Sequence, residues 1–283
     1  MKIQKSFMNE LPTLYLVATP IGNLDEFTPR AIEILNEVDV IAAEDTRTSL
    51  KLLQHFKITT HVISHHNFNE RQSSKGIVNL LKQGKHVAII SDAGYPLISD
   101  PGLNVVSLAI QEGFNVVPIS GSNAALNALV ASGLPCQPYL FWGFLSSSMN
   151  EAIKELKQVQ MYPCTLLFYE APHRLVRTLK LIQEVLGDRY LCVARELTKK
   201  HEEFIRGTVS ELLSHLQEVK GELVLVVEGH RKEDEKDILL KDVHIKVEEY
   251  IALGMSPSIA IKTVAKDFGL SKNEVYQRYF NRS

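Results

Sequence analysis

The chain has 283 residues, and its 31 Lys and Arg against 33 Asp and Glu leave a formal net charge of −2. That length buries a large core and favours two domains over one, while the charge gives no global attraction to nucleic acid or an anionic membrane, so any polyanion site has to be a local basic patch. Three isolated cysteines, Cys136, Cys164 and Cys192, with no C-x-x-C pair, argue for a reducing compartment and against a disulfide framework or a zinc site.

At the N-terminus, Asn9, Glu10 and Pro12 interrupt any signal-peptide core, and no apolar run in the chain approaches the roughly 18 residues of a membrane span. A cytoplasmic protein is expected. Short β-branched or apolar runs follow at Leu14–Ala18, Val40–Ala43, Val62–Ser64, Val87–Ser91 and Val116–Pro118. Helical patterns lie between them, near Pro29–Val38, Ser49–His55, Arg71–Gln83 and Leu103–Glu112. Thr28 is placed to cap the first of these, with Pro29 at the position proline favours. This βαβα rhythm predicts a mostly parallel sheet with helices on its faces. Gly133-Leu134-Pro135 marks a break. Beyond it, strands are predicted at Leu140–Gly143, Cys164–Tyr169, Tyr190–Ala194, Phe204–Gly207 and Leu223–Glu228, with a helix near Asn150–Val159. A charged linker, Arg231 to Asp237, leads into a helical tail. The predicted fold class is α/β: an N-terminal domain over 1–132, a second α/β domain over 133–229 and a helix-turn-helix-like module over 238–283.

The most informative segment is Ser91-Asp-Ala-Gly-Tyr-Pro-Leu-Ile-Ser-Asp-Pro-Gly102. Two glycines and two prolines fix a convoluted loop, and Ser91, Asp92, Ser99 and Asp100 supply convergent polar groups at the carboxyl end of a strand. In open α/β sheets ligands bind at that edge. A second loop, Thr19-Pro-Ile-Gly-Asn-Leu-Asp25, follows the first strand. It stands where a phosphate loop would, but it has one glycine, and Pro20 removes an N–H that a phosphate would use. Glu44-Asp45 falls about 20 residues on, at the spacing of a ribose-binding acid. A dinucleotide enzyme therefore stays open on spacing alone.

Six motifs occur in one order: Thr19-Pro-Ile-Gly-Asn-Leu, Ala43-Glu-Asp-Thr-Arg47, the 91–102 loop, Ser120-Gly-Ser-Asn-Ala124, Phe168-Tyr-Glu-Ala-Pro-His-Arg174 and Ala194-Arg-Glu-Leu-Thr-Lys199. Together they resemble the ribosomal RNA small-subunit methyltransferase I family, of the tetrapyrrole-methylase superfamily, from about Leu11 to the C-terminus. The resemblance implies two α/β domains with S-adenosylmethionine in the cleft between them, a homodimer, and methylation of the ribose 2′-hydroxyl of a cytidine in 16S rRNA of the small ribosomal subunit. No metal is expected. Met1–Glu10 lies outside the match.

Against that background, Pro20 and Gly22 would shape one cofactor wall, and Asp92, Ala93, Gly94 and Ser99 the other. Ser122 and Asn123 open a helix whose N–H groups favour negative charge; Phe168, Tyr169 and Leu197 would complete the cofactor site. Glu170, His173, Asp45 and Asp100 are the candidates for the group that takes the hydroxyl proton, with Glu170 alternatively paired to Arg174 to hold the loop. Arg47, Arg174, Arg177 and Arg195 suit phosphate contacts, because a planar fork matches phosphate. In the tail, Ala260, Val264 and Ala265 form one helical face, Gly269 makes a turn, and Ser271 can cap a helix carrying Val275, Tyr276 and Tyr279. Lys262, Lys266, Lys272, Arg278 and Arg282 outnumber Asp267 and Glu274 there, so Lys266 and Lys272 are candidate rRNA contacts. Two alternatives remain: a related methyltransferase of a tetrapyrrole or other small substrate, and a non-enzymatic nucleic-acid-binding regulator built on the tail.

Overall fold

A computed structural model describes residues 3–6, 8–66, 70–215, 219–231 and 243–280, with the side chain of Arg278 set aside. The predicted linker beyond Arg231 and the basic Arg282 lie outside the described residues. The chain forms two compact units. The first, residues 1–157 with 164–228, contains both sheets.

The first sheet is built from β1 (Thr13–Val17), β2 (Val40–Ala43), β3 (His61–Ser64), β4 (Val87–Ile90) and β5 (Asn115–Ile119), in the order β3-β2-β4-β1-β5. All pairings are parallel, as the alternating pattern predicts. β2 and β4 are buried along their whole length, so their alternate side chains serve two separate cores. Ile41, Ala43, Ala88 and Ile90 face Leu35 of α1 (Pro29–Glu37) and Leu53 of α2 (Thr46–His55). Val40, Ala42, Val87 and Ile89 face Ile77 and Leu81 of α3 (Glu70–Lys82) and Val105 and Ala109 of α4 (Leu103–Glu112).

Capping chemistry sets the helix starts. The Thr28 hydroxyl accepts from the Ala31 N–H at 3.2 Å, with Pro29 in the first turn. Asp45 accepts from the Arg47 N–H at 2.8 Å, which starts α2 three residues before the predicted Ser49. Asn123 caps α5 (Ala124–Ser132) through the Leu126 N–H at 2.9 Å. One edge of the sheet has an unusual partner. The Gln4 amide donates to the Val116 carbonyl at 2.9 Å and accepts from the Val116 N–H at 3.0 Å.

The second sheet comprises β6 (Tyr139–Phe144), β7 (Thr165–Glu170), β8 (Tyr190–Arg195), β9 (Glu203–Thr208) and β10 (Leu223–Val227), in the order β6-β7-β10-β8-β9. It is mixed: β6 and β7 are parallel and the other pairs antiparallel. α6 (Met149–Val159), α7 (Leu175–Leu186) and α8 (Val209–His215) complete this half. Ala125, Ala128 and Leu129 of α5 pack against Leu167, Cys192, Ala194, Val224 and Val226, so this helix covers one face of the second sheet.

The second unit, residues 158–163 with 229–283, holds α9 (residues 243–252), α10 (Pro257–Asp267) and α11 (Lys272–Phe280). Val243, Val247, Ala260, Ile261, Val264, Ala265 and Val275 make its core. Ser271 caps the last helix as the sequence suggests, and Glu274 reciprocates. The Glu274 N–H donates to the Ser271 hydroxyl at 3.2 Å, and the Ser271 N–H to the Glu274 carboxylate at 2.8 Å. Among the described residues no helix is long and apolar enough to cross a membrane.

Candidate active site

The carboxyl ends of β1, β2 and β4 open onto a cavity of about 710 Å³, within the roughly 300–1,000 Å³ range of small-molecule sites. Glu44 comes from the end of β2, and Asp92, Ala93, Gly94, Ser99 and Asp100 from the loop after β4. Tyr169 and Glu170 from β7, Phe144 from β6, and Glu196, Leu197 and Lys199 after β8 supply the facing wall.

Two loops are joined into one wall by an isolated antiparallel bridge between Thr19 and Gly94. The Thr19 N–H donates to Gly94 O at 2.9 Å, and the Gly94 N–H to Thr19 O at 3.1 Å. The Ser91 hydroxyl also donates to Gly94 O, at 3.0 Å. Gly94 sits at φ +77°, a region open to glycine and costly for residues with a Cβ. The same loop holds Leu97 at +74° and Ser99 at +69°, and the opposing loop holds Glu196 at +50° and Thr198 at +66°. Of the described non-glycine residues with positive φ, only Lys57 lies elsewhere. Such strain persists where surrounding structure enforces it, and it collects at ligand sites.

The electrostatics are acidic on one side. Burial, and then the neighbouring Glu44 charge, push the Asp100 carboxyl up to about 7. Burial and the Asp92 charge raise Glu44, which hydrogen-bonds to Asp100, while burial raises Asp92. Among the described residues no lysine or arginine pairs with these three carboxylates. On the opposing loop Lys199 is held by Glu196 at 3.0 Å and Glu222 at 3.1 Å. Burial alone would lower its ammonium, but these hydrogen bonds outweigh that and raise it.

The sequence candidates divide by placement. Asp92, Ala93, Gly94, Ser99, Asp100, Asn123, Tyr169, Glu170 and Leu197 all line the cavity. Pro20, Gly22 and Ser122 do not. Pro20 is buried behind the wall, Gly22 packs against Lys199, and the Ser122 hydroxyl donates to Glu26 at 2.8 Å. Phe168 is 1% exposed and belongs to the core, because strand alternation sends Phe168 inward and Tyr169 toward the cavity. The Tyr169 hydroxyl takes a hydrogen bond from the Ala125 backbone. His173 is exposed on a 3-10 turn outside the lining.

Glu170 reaches the cavity but is 3% exposed, and its carboxylate is engaged. It accepts from the Thr178 hydroxyl and from the Ala171 N–H at 2.8 Å, and pairs with Arg174 at 3.3 Å. The phosphate candidates Arg174 and Arg177 turn inward to carbonyls of residues 145–147, and Arg195 pairs with Glu203. Arg47, Lys266 and Lys272 are exposed. Glu44, Phe144, Glu196 and Lys199 are lining residues that the sequence did not single out for these roles. Glu44 was legible only as a ribose-binding acid, and nothing local marks Phe144.

Residues 13–213 match the family model of the tetrapyrrole (corrin/porphyrin) methylases, which places this chain of two sheets, with a cavity at the carboxyl edge of the parallel one, in that class. Solved structures agree at the level of fold. A diphthine synthase superposes with TM-score 0.59 at 13% identity, covering 77% of this chain and 91% of its own. A cobalt precorrin-4 methyltransferase gives 0.53 at 18%, covering 76% and 94%. Closer relatives narrow the class. The ribosomal RNA small subunit methyltransferase I of Bacillus subtilis (strain 168) is 48% identical over 277 residues, 96% of this chain and 95% of that protein. The protein of the same name from Synechocystis sp. is 43% identical, over 93% of this chain and 96% of its own. The chain belongs to the ribosomal RNA small subunit methyltransferase I family.

Proposed function

We propose that the chain transfers a methyl group from S-adenosylmethionine to the ribose 2′-hydroxyl of a cytidine in 16S rRNA of the small ribosomal subunit. The observation that carries this reading is Asp100, a cavity carboxylate raised to about 7. A general base is most effective near the working pH. The cavity chemistry suits the donor. Three carboxylates without a paired cation complement a sulfonium and an ammonium group. Ile21, Tyr169, Leu197 and Val224 offer apolar surface to an adenine, and Gly94 allows backbone approach. When bound, the donor supplies an electrophilic methyl on a positively charged sulfur. Asp100 receives the proton of the acceptor hydroxyl, and Glu44, hydrogen-bonded to it, shares that proton. The Thr19–Gly94 bridge keeps the loop that bears Asp100 in place, so positioning needs little reorganisation. Arg47 and the tail lysines Lys266 and Lys272 contact rRNA phosphates.

The test is to incubate the protein with labelled S-adenosylmethionine and unmodified small subunits and to map the label. Replacing the target nucleotide by its deoxy analogue removes the nucleophile and leaves base and phosphate in place. Label is expected on the ribo form alone; label on the base of the deoxy form, or in a small molecule, refutes this reading.

A further inference from the structure

Phe144 is 52% exposed at the cavity, yet the backbone around it is fixed from several sides. The β6–β7 register slips between Phe141 and Gly143, so Trp142 is an extra residue, and Gly143 follows at φ +86°. A bulge and a left-handed glycine together re-aim the residues beyond them. The Arg174 Nη2 donates to the carbonyls of Leu145, at 2.7 Å, and Ser146, at 3.2 Å. The Arg177 Nη2 donates to Ser147 O at 2.8 Å, and the Ser146 N–H donates to the Glu155 carboxylate at 2.9 Å. Arg174 is itself oriented by the buried Glu170 carboxylate. An exposed ring thus hangs from an anchored backbone. Its neighbour on the cavity wall is Tyr169, edge-on with centroids 5.5 Å apart.

We propose that Phe144 is the platform on which the acceptor nucleobase stacks, and that Glu170 and Arg174 are the positioning residues that hold it there. This rests on the rRNA reading above. A Cβ on Gly143 would lie 3.5 Å from Ser99 Oγ, so the backbone next to Phe144 adjoins the residue before Asp100. A nucleotide with its base on Phe144 therefore has its ribose beside the base that takes the proton. Tyr169, more buried and tied to Ala125, lies deeper and serves the donor side. Every nucleobase offers a π face, and loss of one base–aromatic stack weakens binding on the order of 5- to 100-fold.

The test uses the full chain with unmodified small subunits. F144L should raise the KM for subunits on the order of 5- to 100-fold, with S-adenosylmethionine affinity by calorimetry unchanged, and F144W should restore it. R174K, which cannot bridge two carbonyls and a carboxylate, should raise the same KM with kcat retained. The double variant F144L/R174K should be no worse than F144L, because both act through one ring. Loss of donor affinity in F144L with an unchanged subunit KM would assign the ring to adenine and overturn the proposal, as would no effect on either. If the parent methylates no RNA, the rRNA reading fails separately. The platform is then judged on binding of an unpaired cytidine oligoribonucleotide, which F144L must weaken for the assignment to stand.

Discussion

Asp100→Asn is expected to make the protein more stable at pH 8 while abolishing methyl transfer. The folded state holds the Asp100 proton up to about 7, against 3.8 for the ordinary carboxyl. Between those values the folded protein binds more protons than the unfolded one, so stability falls as pH rises through the window and the penalty is complete above it. At about 1.4 kcal/mol per pH unit the ceiling is roughly 4 kcal/mol. Solvent reaches part of this carboxyl, and screening reduces the retained effect to about 1–2 kcal/mol. Urea unfolding of parent and variant from pH 4 to 8.5 measures the gap. It should be largest near pH 8 and close toward pH 4, where both proteins carry a neutral group at this position. A variant no more stable than the parent at pH 8, or a gap independent of pH, would refute the assignment of Asp100 as a carboxylate kept protonated by burial and Glu44.

Gly94→Ala adds a Cβ that meets only Ile21 Cγ2 at 3.5 Å and Ser122 O at 3.7 Å, so its cost is backbone strain. About 1–2 kcal/mol of stability should be lost, and an unchanged urea midpoint would contradict the left-handed conformation. Truncation after Glu228 removes none of the cavity residues, so donor affinity by calorimetry should survive while subunit binding weakens. Lys266→Glu with Lys272→Glu should lower subunit binding and flatten its salt dependence; parent-like methylation by that double variant at raised salt would make the tail structural. Among the described residues no group of three His, Cys, Asp or Glu side chains is arranged to hold a metal ion, so a chelator should leave transfer unchanged, and inhibition by it would reveal a bound ion.

The first sheet was legible because its signals are local. Four-residue apolar runs such as Val40–Ala43 and caps such as Thr28 lie within a few residues of what they determine. Asp45 shows how one residue can support two readings: its spacing suggested a ribose contact, whereas its side chain starts α2. The sequence also drew attention to Tyr169 and to the 91–102 loop, and both contribute to the cavity lining. The pairing of Glu170 with Arg174 could be read from their spacing of four, but the other contacts of Arg174 and Arg177 could not, because those partners are carbonyls near 145–147, up to 30 residues away, with no side-chain signature. Phe168 and Tyr169 are adjacent in an apolar run, and only the strand's orientation decides which one enters the core.

The Gln4 contact gives the N-terminal segment a physical role. β5 ends the first sheet, and a bare sheet edge is a template onto which another chain can add. Here a side-chain amide takes both backbone groups of Val116 as a neighbouring strand would, and Pro118 lacks an N–H to offer one residue pair further on. The border is closed by one glutamine and one proline. A chain starting at Leu11 would keep every cavity residue and still be the more adhesive molecule, ready to recruit a foreign strand along β5.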